Sequence, residues 1–181
     1  METPAFYDNL DLSFSKAWDL IELGASNRTS PAHTPVVATI NETGQPETRV
    51  MVLREANRLA RRLRFHTDSR SAKLAQVRRN PTAAVIMYDP QEKLQIRLSG
   101  HLSIDIGSEE VNVAWRGSTT FARRCYMAVA APGEVTAKPT SGLPAWIESK
   151  QPTEEQLVEA RANFVILWFE VQALEWLYLA N

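Results

Sequence analysis

The chain has 181 residues, of which 44% are hydrophobic and 23% are charged, and its formal net charge is -1 at pH 7. These values are typical of a globular protein with one hydrophobic core, and they exclude recruitment of nucleic acid or anionic membrane by the charge of the whole chain. The single cysteine, Cys125, excludes an intrachain disulfide and a thiolate metal cluster. It favours a reducing compartment, which we expect to be the cytoplasm.

Two segments near the ends of the sequence lack the pattern of a targeting or membrane signal. "METPAFYDNLDLSFSKAW" lacks a basic flank followed by a continuous apolar run, so no signal peptide is predicted. "FVILWFEVQALEWLYLA" is interrupted by Glu170, Gln172 and Glu175. It is also shorter than the roughly 20 apolar residues that a spanning helix needs.

The first predicted element is a helix over "SFSKAWDLIELG", with Ser13 as its N-cap and Gly24 at its end. Four apolar residues share one face of this helix: Phe14, Ala17, Trp18 and Ile21. Two β-rich runs follow in "PVVATINETGQPETRVMVLR", joined by a hairpin loop in which Gly44 is expected to need a positive φ.

"LRFHT" is predicted to be a short third strand, and "SAKLAQVRRN" a compact helix that buries Leu74 and Val77 and ends before Pro81. "TAAVIMY" is typical of a buried strand. "KLQIRLSGHLSIDI" alternates apolar and polar residues up to Gly100, where a bulge or a bend is predicted.

"SEEVNVAWRG" and "TTFARRCYMAVA" predict two helices, followed by a Pro/Gly-rich loop. "TEEQLVEARA" begins with a capping box formed by Thr153 and Gln156. The last apolar stretch is predicted to be one long strand, or two, closing the sheet. About six mostly antiparallel strands with peripheral helices predict a mainly β (α+β) fold built around a small closed barrel.

Several common kinds of functional site are excluded because the sequence lacks their motifs. No dinucleotide or phosphate-loop glycine fingerprint is present. His33, His66 and His101 lie far apart in sequence, so no metal site is predicted. Ser141 lacks the surroundings of a nucleophile, and Cys125 is expected to be a buried, inert thiol.

Basic residues are concentrated between positions 54 and 79, a segment that contains nine Lys or Arg residues and only two acidic residues. Such a stripe is typical either of a solvated face or of an anion-binding surface. One alternative is therefore a nucleic-acid-binding barrel that uses this 54–79 stripe, although Phe65 is its only aromatic residue for stacking on bases.

The stretch "FHTDSRSAK" contains the best candidate for an anion site. Thr67 and Ser71 offer hydroxyls and Lys73 offers a positive charge where a strand turns into a helix N-terminus. An arginine of "RVMVLR" on a neighbouring strand, and Gln95 and Arg97 on the polar face of the long strand, are further candidates.

"RVMVLR", "FHTDSRSAK" and "LQIRLSG", in this order and at these intervals, resemble the FMN-contacting segments of the pyridoxamine 5'-phosphate oxidase family. The resemblance covers about Ser30 to Ile106. It implies a six-stranded antiparallel split β-barrel of the FMN-binding type. We expect residues 1–181 to form a single domain, with the barrel core at about 30–106, a helical segment at 108–131 and C-terminal strands at 163–179.

The resemblance implies FMN as the cofactor. It assigns the phosphate to Ser71 and Lys73, the flavin edge to His66 and Thr67, and the ring to Gln95. Arg49 and the backbone after it are assigned to the ring and the ribityl chain. The full set of implied cofactor-binding residues is Arg49, Val50, Met51, Val52, Leu53, Arg54, His66, Thr67, Arg70, Ser71, Lys73 and Gln95.

The family resemblance further implies an oxidoreductase acting on a small-molecule substrate, in which the flavin accepts a hydride. It also implies a homodimer with FMN at the subunit interface, where Trp168, Trp176 and Tyr178 are candidates for burial. No catalytic residue is assigned. A non-catalytic flavin or tetrapyrrole carrier on the same barrel is the second alternative.

The chain departs from the oxidase pattern at three places. Ala72 stands where the oxidase has an arginine, and Arg70 on the same turn is the expected replacement. In the oxidase, a helical segment after the barrel holds the substrate phosphate. The candidates for that role in this chain are Arg116, Arg123 and Arg124. The chain ends in "LYLAN" without the Arg-x-His segment, so the sequence does not assign vitamin B6 oxidation to this protein.

Overall fold

A computed structural model describes residues 4–179 of the chain. Its α-helices are α1 (Leu10–Ser26), α2 (Ala72–Arg79), α3 (Glu109–Gly117) and α4 (Thr120–Arg123). Its strands are β1 (Val36–Ile40), β2 (Pro46–Val50), β3 (Leu53–Asn57), β4 (Arg62–Asp68), β5 (Thr82–Asp89), β6 (Leu94–Asp105) and β7 (Phe164–Tyr178). Short 3₁₀ helices lie at Pro31–His33, Arg124–Met127, Glu155–Leu157 and Glu159–Asn163.

The described residues group into two compact units. The first unit contains residues 4–65, 76–103 and 168–179 and most of the sheet. The second unit contains residues 66–75 and 104–167, with α3, α4 and the long loop after them.

The seven strands form one sheet in the order β2-β1-β5-β6-β7-β4-β3. The pairs β1–β2, β1–β5, β3–β4 and β5–β6 are antiparallel. Only Met51 and Val52 separate β2 from β3, although these strands lie at opposite edges of the sheet. Two residues span about 10 Å at most, so the two edges must approach each other and the sheet must curl into a barrel.

The mainly β fold with peripheral helices agrees with the prediction, but the strand count is seven rather than six. The difference lies in "RVMVLR", which the alternation predicts to be one strand. In the structure the N–H of Met51 donates to the carbonyl of Pro35 (3.0 Å) before the chain leaves β1. The segment therefore splits, with Arg49 in β2 and Leu53 in β3. The alternation of apolar and polar residues does not indicate that the chain leaves β1 here and pairs next with β4.

The core is formed by the inward faces of the strands. Val37, Leu53, Phe65 and Val85 are at most 1% exposed. On β6, the predicted inward set of Leu94, Ile96 and Leu98 is buried, whereas the residues between them face outward or are half-buried. Residues 164–169 of β7 are all buried, which explains why that stretch lacks the alternation of a half-exposed strand.

Helix α1 is longer than predicted. Its N-cap is Asn9, whose side chain accepts from the N–H of Leu12, and its C-cap is Asn27. Ser13, the predicted N-cap, is buried within the helix and donates its hydroxyl to the carbonyl of Phe6 (2.6 Å). Gly24 does not end the helix: a Cβ there would lie 2.6 Å from the backbone of Ala32, so the glycine permits close packing.

Gly44 has a φ of 84°, as the hairpin loop predicts. Gly100 does not form the bulge that its position suggests, because the β5–β6 register continues through the pair Ala83–Gly100 without a shift. A Cβ on Gly100 would lie 1.9 Å from the carbonyl oxygen of Glu170, so this glycine is required by the close approach of β7.

In the second unit, α3 forms as predicted with Ser108 as its N-cap. The next predicted helix is only partly α-helical, since α4 is continued by the 3₁₀ helix Arg124–Met127. The predicted capping box is present: Thr153 N donates to Gln156 Oε1 (2.9 Å) and Gln156 N to Thr153 Oγ1 (3.3 Å). Between residues 4 and 179, none of the helices has the length and apolar character needed to cross a bilayer.

Candidate functional site

The turn between β4 and α2, in the second unit, brings two hydroxyls and an ammonium group together. Lys73 Nζ donates to Thr67 Oγ1 (2.9 Å) and to Ser71 Oγ (2.6 Å). Thr67 and Ser71 are each only 7% exposed, and Lys73 is half-buried. We name these three residues the hydroxyl–lysine cluster. Sequence reasoning predicted all three as anion-binding residues, and the structure places Lys73 within hydrogen-bonding distance of both hydroxyls.

The donor chemistry of this cluster fits a phosphate monoester. Because both hydroxyl oxygens accept from Lys73 Nζ, each hydroxyl can donate its own hydrogen to another acceptor. The first turn of α2, which begins at Ala72, adds backbone N–H groups that an α-helix leaves without intrahelical partners. A dianionic phosphate supplies the several acceptor oxygens that such a donor set requires. The FMN phosphate implied by the sequence resemblance therefore fits these residues.

Arg70 and Asp68 fix the shape of this turn. Asp68 is 6% exposed, and its carboxylate accepts from Arg70 N (2.8 Å), Nε (2.9 Å) and Nη2 (2.7 Å). Arg70 Nη1 donates to the carbonyl of Ala128 (2.8 Å). The hydrogen bond with Asp68 raises the pKa of Arg70. The pair carries no net charge, so Lys73 supplies the positive charge of the turn and Arg70 supports the backbone.

A second polar group surrounds Arg49 in the first unit. Arg49 Nη1 donates to Thr39 Oγ1 (2.6 Å), and Nη2 lies 3.5 Å from Glu47 Oε2. Gln76 connects these residues, since its Nε2 donates to Glu47 Oε2 (2.7 Å) and its Oε1 accepts from Thr39 (2.6 Å). Burial lowers the pKa of Arg49, and Glu47 opposes this effect. The arginine is thus held in one orientation by partners on β1, β2 and α2.

The sequence analysis missed the partners of both arginines. Thr39 and Gln76 are 1% and 9% exposed, which is unusual for polar side chains unless they are hydrogen-bonded. One signal was present in the sequence: Gln76 lies between the predicted inward residues Leu74 and Val77 of α2. Asp68 also precedes Arg70 at the spacing of a side-chain-capped turn.

The other residues that were predicted to contact the flavin differ in their exposure to solvent. In the first unit, Met51 and Leu53 are buried, Val50 is 63% exposed, and Gln95 is half-buried on β6 opposite Tyr88. Val52 is half-buried and Arg54 is exposed. In the second unit, the ring of His66 packs edge-on against Phe164 with centroids 4.7 Å apart.

Acidic or aromatic side chains contact four arginines of the 54–79 stripe: Arg58, Arg62, Arg64 and Arg70. In the first unit, Arg58 pairs with Glu22 (2.9 Å) and Asp19, and Arg64 pairs with Glu55 (2.9 Å). Arg62 lies over the ring of Trp168 at 3.7 Å. These ion pairs reduce the field that a phosphate backbone would meet. The geometry therefore does not favour the nucleic-acid alternative.

The three arginines suggested for a substrate phosphate, all in the second unit, have separate partners. Arg116 pairs with Glu109 (2.5 Å), and Arg124 donates to the carbonyls of Glu148 and Lys150. Arg123 is 5% exposed and binds both carboxylate oxygens of Glu154 (2.9 and 2.5 Å). This hydrogen bonding lowers the pKa of Glu154. The three guanidinium groups do not form a common anion site.

The histidines also have separate neighbours. His33 Nδ1 lies 2.7 Å from the carbonyl oxygen of Gly24, and His101 Nδ1 lies 3.1 Å from Gln172. Within residues 4–179, no group of three or more His, Cys, Asp or Glu side chains is arranged to hold a metal ion.

The fold is similar to that of solved proteins from several bacteria. A pyridoxamine 5'-phosphate oxidase-related, FMN-binding protein from Nostoc punctiforme PCC 73102 has a TM-score of 0.70 and 22% identity, with 100% of this chain and 88% of that chain covered. PhzG from Burkholderia lata 383, solved with tetrahydrophenazine-1-carboxylic acid, has a TM-score of 0.66 and 18% identity, with 97% and 84% covered. These likenesses show the split-barrel fold.

Two curated relatives share sequence with part of the chain. The pyridoxine/pyridoxamine 5'-phosphate oxidase of Legionella pneumophila (strain Lens) is 36% identical over 75 residues, which are 41% of this chain and 34% of the relative. The enzyme of the same name from Actinobacillus succinogenes is 36% identical over 66 residues, 36% of this chain and 30% of the relative. The match thus spans about a third of the length of these enzymes.

The sequence profile of the family described as "Pyridoxamine 5'-phosphate oxidase, FMN-binding domain" matches residues 15–105, half of the chain. This stretch includes β1 to β6 and the hydroxyl–lysine cluster, and it confirms the resemblance drawn from the three motifs. The chain therefore belongs to the pyridoxamine 5'-phosphate oxidase FMN-binding family, and its cofactor is FMN.

Proposed function

We propose that this protein is an FMN-dependent oxidoreductase that holds the cofactor phosphate at the hydroxyl–lysine cluster. The observation that carries the proposal is the convergence of Thr67, Ser71 and Lys73, two nearly buried hydroxyls and an ammonium group, within a chain of an FMN-binding family. When bound, FMN supplies the hydride-accepting chemistry, and the protein orients the cofactor and tunes its electronics.

We further propose the flavin contacts that the family resemblance assigns. In the first unit these are Arg49 and the segment after it (Val50, Met51, Val52, Leu53 and Arg54), together with Gln95. In the second unit they are His66 and Thr67 at the flavin edge, with Arg70 supporting the phosphate turn. On this basis we propose that residues 1–181 act as one FMN-binding domain.

Arg49 is the residue whose supporting contacts are best defined. Thr39, Glu47 and Gln76 hold its guanidinium group, which limits the conformational entropy that the side chain would lose on contacting a ligand. Glu47 also opposes the lowering of the Arg49 pKa by burial. We propose that Thr39 and Gln76 are positioning residues for Arg49.

Anaerobic reduction tests the oxidoreductase proposal. The protein loaded with FMN is mixed with pyridoxamine phosphate, pyridoxine phosphate, NADH or NADPH in separate experiments, and the flavin absorbance in the visible range is followed. We expect at least one of these reductants to bleach the flavin faster than it bleaches free FMN. Bound FMN that none of them reduces faster than free FMN would instead support the non-catalytic carrier.

We propose that the protein forms a homodimer with FMN at the interface, supported by an apolar surface on the outer face of the sheet in the first unit. Val36 lies directly across from Val50 and Ile86, so these side chains point to the same face. Val50, Ile86 and Tyr88 are 63%, 37% and 46% exposed. Val50 belongs to the predicted flavin segment, so a second copy covering this outer patch would lie beside the cofactor.

Replacing Ile86 by Glu is expected to dissociate the dimer, because each interface would bury two charges without partners. Sedimentation equilibrium should then report the 20.4 kDa monomer, whereas the wild type gives twice that mass. The matched control is Leu59→Glu, which places the same charge at a 97% exposed residue in the turn between β3 and β4. If Ile86→Glu and Leu59→Glu have the same mass, the outer patch is not the interface.

The proposed compartment is the cytoplasm. Cys125, the single cysteine of the sequence, is exposed rather than buried as predicted, and an exposed thiol persists most readily where the surroundings are reducing.

A further inference from the structure

A pocket of about 340 Å³ lies within the second unit, between the 3₁₀ helix Arg124–Met127, the loop around residue 144 and the segment 156–163. Its volume is at the lower end of the range for small-molecule sites. None of its lining residues belongs to the predicted flavin set. They are Tyr126, Met127, Pro144, Trp146, Gln156, Glu159, Ala160 and Asn163.

One wall of the pocket is rigid and aromatic. The ring of Tyr126 packs edge-on against Phe164 (5.1 Å between centroids) and against Trp115 (5.8 Å). Its backbone carbonyl accepts from Asn163 Nδ2 (2.9 Å), which joins Tyr126 to the segment that forms the other side of the pocket. This wall is therefore formed before a ligand binds.

The other aromatic residue, Trp146, is 50% exposed. The turn that carries it is anchored on both sides: Ile147 is 1% exposed and its N–H donates to the carbonyl of Pro144 (3.0 Å). A half-exposed indole on an anchored turn is unusual, since tryptophan is highly buried on average. Ligand sites often place aromatic side chains in this way, because a planar ligand can cover the exposed face.

The polar side of the pocket is acidic. Glu159 is the one lining residue with a formal charge, and Gln156 and Asn163 add amide groups. The capping box holds Gln156 in place, since its Oε1 accepts from Thr153 N. A carboxylate beside two aromatic rings favours a cation: the ring faces attract positive charge, and the carboxylate pairs with it.

We propose that this pocket binds a small organic cation with an aromatic body, such as an arylalkylamine in its protonated form. The ammonium group pairs with Glu159, and the ring lies against Trp146 and Tyr126. None of the pocket's lining residues belongs to the hydroxyl–lysine cluster, and binding in the pocket does not require flavin reduction.

Calorimetric titration with benzylammonium tests the proposal on the protein supplied with FMN. Benzoate and benzyl alcohol are the matched anionic and neutral probes of similar size. We expect benzylammonium to bind at least about tenfold more tightly than either of them. Equal affinity for the three probes, or no binding of benzylammonium, would overturn the proposal.

Single substitutions test whether benzylammonium binds in this pocket. Glu159→Gln and Trp146→Ala should each weaken benzylammonium binding by about tenfold, because the first removes the carboxylate and the second removes one of the two aromatic rings. Glu155→Gln is the control, since it removes the same charge from an exposed neighbour that does not line the pocket. If Glu155→Gln weakens binding as much as Glu159→Gln does, the effect is general charge attraction and the pocket is not the site. Visible FMN absorbance in each variant separates this result from loss of the flavin site.

Discussion

Replacing Lys73 by Met is expected to weaken FMN binding about 10- to 100-fold, because a charge-assisted hydrogen bond to the phosphate is lost while most of the length of the side chain is kept. Thr67 and Ser71 also lose the ammonium group that orients their hydroxyls. Equilibrium dialysis or quenching of flavin fluorescence measures the dissociation constant.

Two controls make this result specific to the phosphate. Arg79→Met removes one positive charge from the exposed last turn of α2 and should leave the affinity for FMN unchanged. Riboflavin lacks the phosphate, so Lys73→Met should change its affinity much less than that of FMN. An equal loss of affinity for FMN and riboflavin in Lys73→Met would refute the phosphate assignment.

Replacing Gly100 by Ala is expected to lower the free energy of unfolding by about 3 kcal/mol, at the upper end of the usual cost of overpacking. The added Cβ would lie 1.9 Å from the carbonyl oxygen of Glu170 and 3.0 Å from its carbonyl carbon. Both contacts are with backbone, so β6 and β7 would have to separate in the middle of the sheet. Urea unfolding followed by circular dichroism gives the change.

Gly107→Ala is the matched control for this variant. No heavy atom lies within 4 Å of the position of its added Cβ, so its free energy of unfolding should stay within about 0.5 kcal/mol of the wild type. A Gly100→Ala protein that unfolds at the wild-type urea concentration would show that the two strands tolerate the added methyl group.

At α1 and at "RVMVLR" the structure differs from the sequence prediction, because local patterns do not specify the tertiary partners of a residue. Ser13 has the chemistry of an N-cap and Gly24 that of a helix end, yet both lie inside α1. The reason is their tertiary partners: the carbonyl of Phe6 for Ser13 and the backbone of Ala32 for Gly24. A glycine or a serine in the sequence is equally compatible with a terminus and with a close packing contact.

The sequence alone determined the inward set of β6, the burial of Leu74 and Val77 on α2, and the hydroxyl–lysine cluster. These features depend on the period of a strand or helix, or on residues six apart across one turn, so the local chain geometry decides them. The tertiary structure alone decided the seventh strand, the partners of Arg49, the contact at Gly100 and the pocket beside Trp146. Each of these brings together residues that are distant in sequence, and only the packing of the whole sheet or unit sets such distances.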